Sequence, residues 1–292
     1  MKKYLPLFFG ILLASHLSAT VRIVTTLPDL ADIAKQIGGD KVQVDYIVRG
    51  NQNPHFIEVK PSYMMQLRKA DIFFMIGMDL ELWAQQLIDG SRNAKLLVVD
   101  CSRHISKLEV PQKIDASEGD VHRYGNPHYW LNPHNVQFIV IDVIEALMKI
   151  DPSNTSFYKA NGDAFLKRLN AKIAEWEKRL KPFAGKKIIT FHKSWSYFTK
   201  WFGIDVVDYI EPKPGIQPSP SHTAHLLQLV RNGNIKAIVV EPFYDDSAPR
   251  QIARASTAQV LTLPTSVGGV EEAKDYISLI EYNVSKLEET LR

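Results

Sequence analysis

Short β-branched runs alternate with longer amphipathic stretches along most of this chain, and this alternation constrains its fold more than any other feature. In the first half, strands are predicted at Val21–Thr26, Val42–Val48, Ile72–Ile76 and Leu96–Val99. Helices are predicted between them at Pro28–Ile37, Ser62–Lys69 and Leu80–Ile88. A strand that must cross over through a helix before the next strand pairs in parallel, and a parallel sheet needs both faces covered. The rhythm breaks over residues 102–127, which are polar, contain Pro111, Gly119, Gly125 and Pro127, and read as a long surface loop of the kind that often carries function. A helix from Pro133 to Ile150 follows. The rhythm restarts with predicted strands at Lys187–Phe191, Val206–Ile210, Ala237–Val240 and Val260–Leu263. The helices of this half are Ser194–Phe202, Ser221–Arg231, Ala248–Ala255 and Glu271–Leu291.

Between the halves, Phe157, Phe165, Leu166, Leu169, Ile173, Trp176 and Leu180 recur at helical spacing among many charged residues. One amphipathic helix there reaches ~40 Å at 1.5 Å per residue, long enough to join two lobes. The prediction is therefore an α/β protein of two lobes. Each is a parallel β-sheet flanked by helices, and one long connecting helix joins them beside a cleft. Its parts are residues 1–19, an N-terminal lobe at 20–152, the connecting helix at 153–182 and a C-terminal lobe at 183–292. With 292 residues and 45% hydrophobic content, the chain has material for one large domain or for two lobes, each with its own core.

Residues 1–19 have the form of a cleaved secretory signal peptide. Lys2 and Lys3 precede an apolar run from Leu5 to Leu13, and Ser18-Ala19 offers the small residues of a cleavage site. The run is too short to span a bilayer, and no cysteine near the cut could take a lipid. The protein is thus expected to be soluble and periplasmic. The chain has 35 Lys and Arg against 32 Asp and Glu, and two of the lysines lie in the leader. A near-neutral chain without a basic stripe has no electrostatic basis for binding nucleic acid. Cys101 is the single cysteine, so neither an internal disulfide nor a cysteine-rich metal site is possible. It reads as a core residue.

Three histidines follow strands or close loops where ligands sit in open α/β sheets, outside the carboxyl ends of the strands. His55 ends Arg49-Gly-Asn-Gln-Asn-Pro-His, His128 ends the long loop in Gly125-Asn-Pro-His, and His192 directly follows the strand ending at Phe191. Two stand behind a proline, whose fixed φ limits the freedom lost when a ligand is held. Neutral imidazoles suit zinc, with copper, nickel or iron also compatible.

The segments N-P-H-F-I-E-V-K-P-S, L-R-K-A-D-I-F-F-M-I-G-M-D-L-E-L-W, N-P-H-Y-W-L-N-P and T-F-H-K-S-W-S-Y-F-T-K-W-F-G-I occur in that order. Q-P-S-P-S-H-T-A-H-L-L-Q-L-V and A-I-V-V-E-P-F follow them. Together they resemble the zinc and manganese solute-binding proteins of ABC transporters, over essentially the whole mature chain. The resemblance implies a monomer that captures Zn²⁺ and delivers it to a membrane permease with its ATPase. It implies His55, His128 and His192 as ligands; a histidine rather than a glutamate at the third place is similar to the zinc branch, with Mn²⁺ less favoured. Many members have a late Asp as fourth ligand, but here that stretch reads L-T-L-P-T-S-V-G-G. Glu241 is the replacement chosen, with a supporting acceptor role or a water in its place as alternatives. Asp245 and Asp246 read as a helix start.

The remaining histidines read more plainly. His134 stands at a helix start, and His104, His222 and His225 read as surface or loop residues. His122 lies in the loop that is His-rich in some relatives and could recruit metal. A zinc hydrolase or hydratase with Glu241 as base lacks an H-E-x-x-H, a serine elbow or a P-loop to support it. A surface adhesin is the remaining alternative.

Overall fold

The computed structural model describes residues 20–112, 122–211, 215–216, 218–233 and 235–292. The first lobe contains β1 (Val21–Thr25), α1 (Pro28–Gly38), β2 (Val42–Tyr46), α2 (Pro61–Lys69), β3 (Ile72–Met75), α3 (Ala84–Ser91), β4 (Leu97–Asp100) and α4 (Val136–Ile150). The helix α5 (Thr155–Leu180) connects it to the second lobe. That lobe contains β5 (Lys187–Thr190), α6 (Ser196–Phe202), β6 (Asp205–Tyr209), α7 (Pro220–Asn232), β7 (Ala237–Val240), α8 (Ser247–Ala253), β8 (Gln259–Thr262) and α9 (Tyr276–Leu291). The sheets have the orders β2-β1-β3-β4 and β6-β5-β7-β8, and every pairing is parallel. In both, the first strand of the lobe sits inside the sheet, so its carboxyl end is flanked by the ends of two later strands.

The helices α3 and α9 begin well after their predicted starts, each for a local reason. Gly77, Met78 and Asp79 all take positive φ (83°, 55° and 63°), so the chain turns before α3 can start at Ala84. An added Cβ at Gly77 would lie 2.1 Å from Asp100 Oδ1, which keeps that position to glycine. Asp275 starts α9: its Oδ1 accepts from Ser278 N at 2.7 Å, and Ser278 Oγ accepts from Asp275 N at 2.9 Å. This reciprocal box satisfies two end donors that Glu271 could not reach.

The larger apolar core is shared between the lobes. One continuous apolar cluster runs from Val21 and Ile23 through Phe165, Leu169, Ile173 and Trp176 of α5 to Leu279, Val284 and Leu287 of α9. A smaller cluster, including Ile189, Ile210, Leu226 and Ile252, lies in the second lobe. The reason is that α5 and α9 lie against each other and α5 also packs on α1 and α4. Glu281 locks the helix pair by accepting from Trp176 Nε1 at 2.9 Å and pairing with Arg179 and Lys172. Despite the opposing cost of burial, Arg179, Trp176 and Lys172 hold Glu281 down to about 2. Cys101 is fully buried.

A second seam joins the lobes through hydrogen bonds. The loop after β8 lies on the first lobe: Trp130 Nε1 donates to Thr265 O at 2.7 Å, and Val267 N donates to Asp29 Oδ1 at 3.2 Å. Tyr276 N donates to Asp32 Oδ2 at 2.9 Å. At Gly50 the two backbones approach so closely that a Cβ would meet Val267 O at 2.1 Å and Gly269 N at 2.5 Å.

Candidate metal centre

His55 is placed by a turn of its own neighbours. Asn53 Oδ1 accepts from His55 N at 3.0 Å, and Pro54 between them fixes φ. Trp83 Nε1 donates to Pro54 O at 2.8 Å and ties this turn to the first lobe. His128 repeats the device: Asn126 Oδ1 accepts from His128 N at 3.0 Å. The same oxygen lies 3.0 Å from His128 Nδ1, which therefore carries the proton and leaves the Nε2 lone pair facing the other rings. Asn126 is held in turn, since its Nδ2 donates to Lys193 O at 2.7 Å and Glu109 Oε2 at 2.9 Å.

His192 follows β5, the inner strand of its sheet. Phe191 N donates to Val239 O and Glu211 N donates to Phe191 O, so the parallel pairing continues past the strand ends. His192 therefore stands between Glu211 at the end of β6 and Glu241 at the end of β7. Its Nδ1 lies 2.8 Å from Glu211 Oε2, both groups buried, which again directs Nε2 away from the carboxylate. Glu211 Oε1 accepts from Gly215 N at 2.8 Å.

The three imidazoles converge. One nitrogen from each of His55, His128 and His192 lies within 4.8 Å of the others. His55 Nε2 and His128 Nε2 are 3.3 Å apart. The ring centroids are separated by 5.3, 5.4 and 5.6 Å. Two imidazoles on one tetrahedral zinc, with Zn–N of ~2.0–2.1 Å, hold their centroids roughly 5.2 Å apart. The site is thus close to the geometry that a shared ion demands. Burial holds His128 well below the usual imidazole range, and His55, His192 and His122 reinforce this by charge. It is a neutral donor at physiological pH.

Glu241, expected as the fourth ligand, does not join this group. It is fully buried, and its Oε1 accepts from Trp195 Nε1 at 3.1 Å. Burial pushes its carboxyl up to about 7, against the opposing pull of His192, Ser194 and Trp195. The loop after β8 is committed to the seam at Asp29 and Trp130. In the first lobe, the buried carboxylate of Glu81 is occupied by Thr26 Oγ1, Ile76 N and Gly77 N.

The structure adds residues that the sequence reading passed over. Glu211 and Asn126 orient two of the rings. Tyr244 lies across the cleft, its hydroxyl 3.2 Å from Asn53 Nδ2 and its ring stacked 4.3 Å from Phe191. An Asn two places before a histidine was the available signal for Asn126 and Asn53. Nothing local marked Glu211. His122 also lies here, its ring centroid 5.0 Å from that of His55. His134 and His104 stand elsewhere, paired with Glu177 at 2.9 Å and Asp142 at 3.8 Å. His222 and His225 lie together on α7, contacting Tyr209 O and Asp208. Trp130, Trp195 and Tyr197 are buried packing around the site.

Among the described residues, no helix is long and apolar enough to cross a membrane. The family model for the periplasmic component A of the zinc-uptake complex, ZnuA, matches residues 23–290. The iron-binding protein YfeA of Yersinia pestis is 26% identical over 272 residues, 91% of this chain and 85% of that protein. The manganese ABC transporter substrate-binding lipoprotein PsaA of Streptococcus pneumoniae is 26% identical over 99% of this chain and 96% of its own. A crystal structure of ZnuA superposes with a TM-score of 0.82 at 26% identity, covering 94% of this chain and all of that one. A convergent trio of oriented imidazoles on two parallel-sheet lobes and a match over nearly the whole chain have one meaning: the protein belongs to the ZnuA family, the metal-binding, extracytoplasmic substrate-binding components of ABC transporters, and is not an enzyme.

Proposed function

We propose that this protein captures one Zn²⁺ per chain on His55, His128 and His192 and delivers it, as a monomer, to a permease served by its ATPase. The observation that carries the reading is the donor set: three nitrogens within 4.8 Å of one another, with no carboxylate in the group. Mn²⁺ is a harder ion that favours oxygen ligands, whereas imidazole suits zinc. At this site the nitrogen-only set outweighs the manganese and iron names of the similar proteins. Glu211 and Asn126 fix the tautomers of His192 and His128, so binding needs little rearrangement. Glu241 serves as the buried acceptor that holds Trp195 beside His192, and takes no bond to the metal. In the same reading, residues 1–19 direct export and are removed.

The test is competition of Zn²⁺, Mn²⁺ and Fe²⁺ for the purified protein, with metal content and affinity determined for each. Zinc should displace the others at one ion per chain. Alanine at His55, His128 or His192 should each abolish stoichiometric binding. Tighter binding of Mn²⁺ than Zn²⁺ would overturn the choice of metal, and unchanged zinc binding in all three variants would overturn the site.

A further inference from the structure

We infer that His122 is a fourth protein ligand of this site, so that the bound ion is held by four imidazoles; this rests on the three-histidine reading above. The His122 ring centroid lies 5.0 Å from that of His55 and 6.3 Å from that of His128. The first separation already equals that of two imidazoles on one tetrahedral ion, roughly 5.2 Å at ordinary Zn–N lengths. The second exceeds it by about an ångström, and the His122 nitrogens stand outside the group of three. A movement of His122 towards His128 on metal binding then brings its ring into the bonding shell.

The backbone supports such an approach. His122 O accepts from Gly125 N at 3.1 Å, closing a turn that runs straight into the Asn126-Pro127-His128 segment. Gly125 takes φ 103°, and a Cβ there would lie 2.7 Å from Leu108 O, so the turn is pressed onto the neighbouring chain. Asn126 N donates to that same Leu108 O at 2.8 Å. Arg123 makes a two-pronged pair with Asp79, Nε to Oδ2 at 2.8 Å and a terminal nitrogen to Oδ1 at 3.2 Å. Asp79 is one of three consecutive positive-φ residues after β3, a strained turn of the kind that persists where surrounding structure demands it. Arg123 and Gly125 thus anchor the turn, and His122, its first residue, sets its ring beside that of His55. Glu241 stands outside the group of three with its Oε1 on Trp195, and the loop after β8 is engaged at the seam.

X-ray absorption at the zinc edge of the loaded full-length protein counts the imidazoles directly. The wild type should show four nitrogen neighbours with the outer-shell scattering of four rings. H122A and H122Q should show three rings and one oxygen, with zinc affinity lower by at least the roughly 10–100-fold that loss of a supporting partner gives. R123A should weaken zinc binding in the wild-type background and have no further effect in H122A. Three rings and an oxygen in the wild type, unchanged in H122A, would overturn the assignment. A wild-type count of three with weakened binding in H122A would also overturn it, by placing His122 outside the bonding shell. Loss of affinity without the change in ring count in H122Q would mean the same. Failure of the underlying reading is recognised separately: zinc would then bind as well to H55A, H128A and H192A as to the wild type.

Discussion

Nδ1 of His192 lies 2.8 Å from Oε2 of Glu211, and both side chains are buried. The pair exists because β6 lies next to β5, and backbone pairing continues past both strands. An acidic partner on the far nitrogen fixes the tautomer and makes the metal-facing nitrogen more basic. Glu211→Gln should weaken zinc binding about 10–100-fold with the fold intact. Chelator competition, with circular dichroism as the control, measures this; an unchanged affinity would count against the orienting role.

Asn126→Ala removes the turn acceptor of His128 and the partner of its Nδ1 together. The expected loss is again about 10–100-fold in zinc affinity. Asn132 makes the same turn, its Oδ1 accepting from His134 N at 3.0 Å, but His134 lies outside the centre. Asn132→Ala should leave zinc affinity unchanged. Equal effects of the two substitutions would refute a specific role for Asn126.

Glu241→Gln separates a ligand from a supporting acceptor. The amide keeps an oxygen for the Trp195 N–H, so zinc affinity should fall by no more than about tenfold, below the range for partners that bond a ligating ring directly. A metal-bound structure with a Glu241 oxygen at ~2.0–2.2 Å from zinc would show direct ligation instead.

Asp29 ties the lobes together, and burial pushes its carboxyl up from 3.8 to about 7, against hydrogen bonds from Ser266 and Val267. The folded protein therefore holds this proton at pH values where the unfolded chain has lost it. The contribution to stability is complete below about pH 4, declines as pH rises towards 7, and is lost above that. A rise of about three pH units corresponds to at most ~4 kcal/mol. Asp29→Asn should flatten the decline between pH 4 and 7 and should not destabilise the protein at pH 8. Urea unfolding of both proteins across that range is the measurement; parallel curves would show that Asp29 does not titrate as described.

The shared core through α5 and α9 and the seam at Gly50, Asp29 and Trp130 both resist a wide hinge. Metal-free and metal-bound scattering profiles should nearly coincide, with any change confined to the loops carrying His55 and His122. A large change in radius of gyration would show that the lobes swing.

Much of the fold was legible because strand and helix periodicity are local properties. β7 occurs over the predicted Ala237–Val240, and α5 runs within one or two residues of its predicted span. The errors fell where local pattern was overruled. Three positive-φ residues delayed α3, and a capping box at Asp275 moved the start of α9. The larger apolar core runs through both lobes because α5 and α9 pack against each other, which neither amphipathic pattern alone reveals.

The same division holds at the site. Three Asn-Pro-His segments occur in the sequence, and all three form the same turn, from Asn53, Asn126 and Asn132. The local geometry of each histidine was therefore written in three consecutive residues. Which of them meet was not: His55 and His128 come within 3.3 Å across 73 residues of chain, while His134 pairs with Glu177. Likewise, Glu211 and Glu241 both stand at carboxyl ends of strands next to β5. Only the positions of the side chains around His192 decided that Glu211 takes its Nδ1 while Glu241 accepts from Trp195. A sequence specifies donors, turns and periodicities because they act over a few residues; convergence depends on sheet order and lobe packing, which are set by the whole chain.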